Sequence, residues 1–242
     1  MNLLFWRSLI FYIGLVISLV LFAPVFFFSL VFPYPQRYAL LALWPRWSLW
    51  WLAKTCHLTY ELKGLENLST ETAAIIFSNH QSAWETLASP VIFPRQTWVL
   101  KRELLWIPVF GWGLAVLKPI AIQRKNTHRA LQQMLEQGQQ RLDEGVWIIV
   151  FPEGTRVTLG DKKRYRVGGA LLASKSSYPI IPVAHNAGTF WPAQGFIKYP
   201  GTIQVIIGPM IESLNRDYKE LNELAEQWIE QALLSLKEKE SS

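Results

Sequence analysis

Val146-Trp147-Ile148-Ile149-Val150-Phe151-Pro152-Glu153-Gly154-Thr155-Arg156 carries an unbroken apolar run straight into a Gly-containing turn flanked by a carboxylate and a guanidinium. An apolar run of this length, stopped by a turn, reads as a strand. Earlier in the chain the same form recurs, with Ala73 to Phe77 running into the polar island Asn79-His80-Gln81-Ser82-Ala83-Trp84-Glu85. Further short apolar runs at Leu58 to Lys63, Thr97 to Leu100, Pro119 to Ile122, Ile180 to Ala184 and Thr202 to Ile207 are also candidate strands.

Helical signals lie between and after these runs. Asn126 or Thr127 can cap a helix whose apolar face is Leu131, Met134, Leu135 and Leu142, with Gly145 just past its end. From Arg216 to about Lys237, the residues Leu221, Leu224, Trp228, Ala232, Leu233 and Leu236 recur at helical spacing, an amphipathic helix expected to dock on the sheet. Strands alternating with helices argue for an α/β arrangement from residue 58 to 242.

The chain of 242 residues, half of them hydrophobic, holds ample material for one core plus an appendage. Residues 9 to 32 carry no charge, and as a helix they would reach roughly 36 Å, enough for a hydrocarbon layer of about 30 Å. The run is too long and too aromatic for a secretory signal peptide. Pro24 is placed to kink it, and Ala39 to Ala53, rich in Trp and Leu but carrying Pro45 and Arg46, reads as interfacial. Residues 1 to 57 are therefore expected to anchor the protein to a membrane, as a single span or as a shallow helical hairpin. Arg7, Arg37, Arg46 and Lys54 suit anionic headgroups and leave the orientation open. The net charge of +6 goes with this membrane sequence, and no nucleic-acid motif accompanies it. The lone Cys56 excludes an intrachain disulfide, and the histidines show no metal spacing. His57, His128 and His185 are read as packing or solvent residues.

His80 supplies an imidazole, whose unperturbed pKa of about 6.5 suits a general base, and Glu85 stands five residues on. On one continuous helix, residues at this spacing would point roughly 140° apart. The two can meet if His80 lies in the turn after the Ala73 to Phe77 strand and Glu85 in the first turn of a following helix. There the carboxylate would orient the ring and suit the helix dipole. No Gly-x-Ser-x-Gly elbow occurs, and nothing marks Ser78, Ser82 or Cys56 as an activated nucleophile. Arg156, with Glu153 placed to orient it or to bond an acceptor hydroxyl, is the first anion-binding candidate.

These islands resemble motifs of the glycerolipid acyltransferase family. Phe151-Pro152-Glu153-Gly154-Thr155-Arg156 matches the third motif without substitution, and His80 with Glu85 resembles the first, where the usual acid is Asp. Arg124, ending Ala121-Ile122-Gln123-Arg124, resembles the second motif, and Ile181-Pro182-Val183-Ala184 the fourth. The resemblance spans roughly residues 60 to 210. It implies a mixed sheet flanked by helices and transfer of a fatty acyl group to the free sn-2 hydroxyl of 1-acyl-glycerol-3-phosphate, with glycerol 3-phosphate, a lyso-aminolipid or another lysophospholipid as alternative acceptors and a non-catalytic lipid-binding relative as the alternative role. It further implies acyl-CoA or acyl carrier protein as donor, no cofactor or metal, and a bacterial inner membrane with the active site facing the cytoplasm. His80 and Glu85 would be catalytic, while Arg124, Glu153, Gly154, Arg156 and Lys101 would bind the acceptor phosphate. Lys162, Lys163, Arg164 and Arg166 stand where CoA phosphates or an acidic carrier protein would be held. The aromatic stretch from Leu104 to Gly113 remains open between acyl tunnel, membrane interface and core.

Overall fold

A computed structural model describes residues 3–69, 71–123, 127–158, 161 and 163–240. Three helices come first: α1 (Leu3–Ser29), α2 (Tyr34–Leu41) and α3 (Leu43–Cys56). Helix α1 continues through Pro24 as one element. Helix α3 returns antiparallel along it: Trp44 Nε1 donates to Ser18 Oγ at 3.1 Å, and Trp51 lies so close over Gly14 that a Cβ there would fall 2.2 Å from the indole nitrogen. Along the other side of α1, Leu3, Trp6, Ile10, Ile13, Ile17, Leu21 and Phe28 form an exposed apolar stripe at helical spacing. Leaving a Leu or Phe in water forfeits roughly 1.5–3 kcal/mol of transfer free energy, so this face suits lipid.

The sheet contains β1 (Leu58–Lys63), β2 (Ile75–Ser78), β3 (Gln96–Lys101), β4 (Ile120–Ile122), β5 (Trp147–Val150), β6 (Ile180–His185) and β7 (Gly201–Ile207). Each expected apolar run is one of these strands. Their spatial order is β1-β7-β6-β2-β5-β3-β4. All neighbours are parallel except β6 and β7, so the sheet is mixed. Central strands β2, β5 and β6 are buried at every position, whereas edge strand β1 alternates, as parallel strands covered on both faces and an edge strand should.

Helices α4 (Trp84–Ile92) and α5 (Phe110–Val116) carry the chain from β2 to β3 and from β3 to β4. Helices α6 (Thr127–Asp143) and α7 (Gly168–Ser176) carry it back from β4 to β5 and from β5 to β6. Right-handed crossovers running in opposite directions along a sheet place their helices on opposite faces. Accordingly α4 packs with α3 and α5 with α1, while α6 packs with α7. At Gly169 the start of α7 presses on β2, where a Cβ would meet the Phe77 ring at 2.8 Å. The direction of travel reverses between β2 and β5. In an open α/β sheet, a crevice forms beyond the carboxyl ends of the strands at such a point.

Helix α8 (Ala187–Phe190) follows β6, and α9 (Tyr218–Glu240) closes the chain against β6 and α7. The buried face of α9 is Leu221, Ala225, Ile229, Ala232 and Leu236, with Leu224, Trp228 and Leu233 on its half-buried margin. Between α8 and β7, the enclosed Lys198 ammonium donates to Tyr12 Oη and Phe196 O, both at 2.5 Å, and lies 3.8 Å from the Tyr12 ring centre. Its backbone N–H donates to Ser8 Oγ at 2.9 Å. Helix α1 is therefore fastened to the sheet domain as well as to α3.

Candidate active site

His80 stands in the loop beyond β2, and Glu85 lies in the first turn of α4. That break between strand and helix lets the two side chains meet: His80 Nδ1 is 2.5 Å from Glu85 Oε2. The other carboxylate oxygen, Oε1, accepts the N–H groups of Gln81 at 2.7 Å and Ser82 at 2.6 Å. Glu85 thus satisfies free donors at the entrance to its own helix, where the dipole also favours negative charge. With Nδ1–H donated to the carboxylate, His80 Nε2 keeps its lone pair for an incoming proton. The imidazole stacks on Phe151, ring centres 4.1 Å apart and planes 16° from parallel.

Strands β2 and β5 are adjacent and in parallel register, with Phe77 opposite Val150, so the loops after them are brought together. The His80 backbone N–H donates to Glu153 Oε2 at 2.6 Å, and Val157 N–H donates to His80 O at 2.7 Å. Glu153 is buried. Among the described residues it makes no ion pair with Arg156, and it does not line the cleft. The expected pairing of Glu153 with Arg156 is not formed here: a buried backbone donor in the facing loop holds its carboxyl. Burial pushes that carboxyl up to about 8, against the His80 N–H and with added repulsion from Glu85.

Gly154 sits at φ +71, and a Cβ there would meet Arg166 Nε at 2.4 Å. The positive φ favours glycine, whereas the exposed Arg166 side chain is free to swing aside. Beyond it, Thr155 and the exposed Arg156 line a cleft of about 380 Å³ together with His80, Lys101 and Gly154. The structure therefore brings His80, Lys101, Gly154 and Arg156 to one opening. Arg124, Asn126 and Lys162 lie outside the described residues.

The remaining cleft wall is apolar, formed by Trp98, Leu100, Leu104, Phe110, Leu114 and Phe151. Four of its residues, Thr86, Trp98, Phe110 and Leu114, also line a smaller apolar cavity bounded by Leu19, Phe26, Tyr38 and Leu41 of the amino-terminal helices. The aromatic stretch from Leu104 to Gly113 divides its side chains. Leu104 and Phe110 face the cleft, whereas Trp106, Ile107 and Trp112 are exposed, Trp112 beside Phe27 of α1 with ring centres 6.1 Å apart.

Asn79, part of the polar island, and His185, read from the sequence as a packing or solvent residue, also stand at the site. His185, at the end of β6, is buried and lies behind Glu85, Nε2 to Oε1 at 3.4 Å. The available signal was positional: a polar residue ends each of the neighbouring strand runs, Asn79 after β2 and His185 in β6, with Ser78 opposite Val183.

A family model described as Acyltransferase matches residues 59–186, which contain both loops of the site. The chain belongs to the acyltransferase family. The 1-acyl-sn-glycerol-3-phosphate acyltransferase of Pseudomonas aeruginosa is 41% identical to this acyltransferase over 235 residues, covering 95% of the chain and 91% of the relative. The mouse 1-acyl-sn-glycerol-3-phosphate acyltransferase alpha is 31% identical over 156 residues, covering 63% of the chain and 55% of the relative. In fold, the acyltransferase is similar to the crystal structure of the 1-acyl-sn-glycerophosphate acyltransferase of Thermotoga maritima, with TM-score 0.80 at 22% identity over 96% of this chain and 95% of that one.

Proposed function

We propose that this acyltransferase moves a fatty acyl group from acyl-CoA or an acyl carrier protein thioester to the free sn-2 hydroxyl of 1-acyl-glycerol-3-phosphate, forming phosphatidic acid. The observation that carries the reading is the His80–Glu85 pair opening into a cleft with Lys101 and Arg156 on its rim and an apolar wall behind. Lysophosphatidic acid offers a phosphate for the cations and a hydrocarbon chain for the wall.

In this mechanism Arg156 and Lys101 hold the phosphate so that the acceptor hydroxyl lies against His80 Nε2. As the oxygen attacks the thioester carbonyl, Nε2 takes its proton, and Glu85 stabilises the resulting imidazolium. The tetrahedral intermediate collapses with cleavage of the carbon–sulfur bond. The leaving sulfur takes the proton back from His80, releasing free thiol and the new ester. The thioester is already activated, so the reaction takes no cofactor or metal, only the co-substrate. Exposed Lys163 and Arg164 beyond the Arg156 turn suit CoA phosphates or an acidic carrier protein.

The exposed apolar face of the α1–α3 hairpin supports attachment to a membrane. Because α1 is docked along one side to α3 and the sheet domain, crossing the bilayer upright would drag polar surface into hydrocarbon. We place the hairpin within one leaflet of a bacterial inner membrane, on the cytoplasmic side where thioester donors are made. This arrangement gives a lipid acceptor short access to the cleft.

Detergent-solubilised protein given radiolabelled acyl-CoA and lysophosphatidic acid is expected to form phosphatidic acid, with kcat reduced by roughly 10³-fold or more in His80→Ala. An unchanged rate in a folded His80→Ala protein would remove His80 from the mechanism. Free fatty acid released without any acceptor would indicate hydrolysis instead.

A further inference from the structure

Behind the dyad is a second imidazole with no part in the mechanism above. We propose that His185 is a positioning residue for acyl transfer, pinning through Asn79 the loop that carries His80 and standing its imidazole directly behind the carboxylate of Glu85. The inference rests on His80 being the base.

Three hydrogen bonds join His185 to Asn79, the residue before His80. Asn79 Nδ2 donates to His185 O at 3.0 Å, His185 N–H donates to Asn79 Oδ1 at 3.0 Å, and the ring Nε2 meets Asn79 O at 2.9 Å. The pairing closes the gap between the ends of β2 and β6, so the backbone at His80 is held by β6 on one side and by Glu153 and Val157 on the other. The ring orientation follows from its contacts. Ala187 N–H donates to Nδ1 at 3.3 Å, so the proton resides on Nε2, directed at Asn79 O with Glu85 Oε1 at 3.4 Å. Gln81 N–H, Ser82 N–H and the His185 imidazole then surround Oε1, leaving Oε2 to His80.

Complete burial lowers the pKa of His185, against the pull of Glu85 and the Asn79 carbonyl and with repulsion from His80. Those two titratable groups face it, and the Trp84 ring meets it edge to face at 6.0 Å. A neutral His185 keeps the positive edge of its Nε2–H near Glu85 Oε1 without competing with His80 for the ion pair. The contact also suits the longer acid at this position, whose extra methylene adds a rotor that these donors hold still.

The test uses the full-length protein with His185→Leu, His185→Asn and His185→Gln, and His80→Ala as control. A Gln amide reaches the place of Nε2, whereas an Asn amide reaches only that of Nδ1. We expect kcat to fall at least about tenfold in His185→Leu and His185→Asn with the acceptor KM little changed, and to recover to within about threefold of wild type in His185→Gln. Without that N–H dipole beside Oε1, the net-negative pair of neutral His80 and ionised Glu85 is disfavoured relative to the protonated pair. The acid limb of the pH–rate profile should therefore move to higher pH by about one unit in His185→Leu. Wild-type kcat in folded His185→Leu, or a reduced kcat with an unmoved acid limb, overturns the proposal and leaves His185 a packing residue. If His185→Leu does not fold, the same profile is read in His185→Asn, and equal rates for His185→Gln and His185→Asn overturn it. Activity retained in His80→Ala would instead reject the base on which the inference rests.

Discussion

Replacing Glu85 by Asp, the acid of the motif it resembles, should damage this enzyme. The Glu85 carboxylate bonds His80 Nδ1 at 2.5 Å through one oxygen, and Gln81 and Ser82 N–H groups at 2.7 and 2.6 Å through the other. Removing one methylene withdraws the group by about 1.5 Å, so with the backbone unchanged these contacts stretch toward about 4 Å, past hydrogen-bond range. A hydrogen bond to a charged group contributes about 1.5–3 kcal/mol, so losing the bond to His80 should lower kcat by roughly 10- to 100-fold. Two buried N–H groups would also lose their acceptor, at about 1–3 kcal/mol of stability each. Glu85→Gln keeps the length but turns an amide N–H toward His80 Nδ1, favouring the wrong tautomer. Its kcat should fall further, by roughly 10³- to 10⁴-fold. Initial rates of phosphatidic acid formation at saturating acceptor, with thermal unfolding by circular dichroism, give both numbers. Glu85→Asp with kcat within about threefold of wild type and an unchanged melting temperature would refute the reasoning, because the loop would then have followed the shorter acid at no cost.

Arg156→Ala should raise the KM for lysophosphatidic acid by roughly 10- to 100-fold with a smaller effect on kcat, and Arg156→Lys should recover only part because a lysine cannot form the paired N–H contacts. Lysophosphatidic acid titrations at saturating acyl-CoA check this, and an unchanged KM would place the phosphate elsewhere. Glu153 has a folded-state pKa of about 8, raised by burial from the ordinary 4.5, so between those values the folded protein binds more protons than the unfolded chain. Its contribution to stability is therefore lost as pH rises through that window, by a few kcal/mol in total. Glu153→Gln, which retains an acceptor for the His80 N–H, should melt with a flatter pH dependence and at a higher temperature than wild type near pH 8. Melting curves at pH 5 and 8 that shift equally in the two proteins would contradict it.

The strands were readable because each is a compact apolar run bounded by turn residues, and the core demands such runs wherever a strand is covered on both faces. The antiparallel sense of β7 beside β6 was not readable, since a strand's direction leaves no mark on its own residues. The spacing of His80 and Glu85 constrained local geometry tightly enough to require a strand, a turn and a helix in that order. Glu153 was different. Its acidic side chain next to an Arg suggests a local ion pair, whereas its hydrogen bond goes to a backbone N–H 73 residues away, a partner fixed by the pairing of β2 and β5. His185 was read as a packing or solvent residue for a related reason, because a lone histidine at a strand end differs from any buried histidine only once Asn79 and Glu85 stand beside it. The aromatic segment from Leu104 to Gly113 combined two patterns, one lining the cleft and one facing outward, and a periodicity reading averages them.

The Lys198 anchor also bears on how the protein is made. Its contacts with Tyr12 and Ser8 span 186 and 190 residues, so α1, which precedes the sheet domain in the chain, acquires its seat there only after those later residues have left the ribosome. At about 5–20 residues per second that leaves roughly 10–40 s in which an apolar helix has no protein partner on that side. Lipid would cover that exposed apolar face through the interval, and the Lys198 contacts would then close the other side of α1 onto the sheet domain.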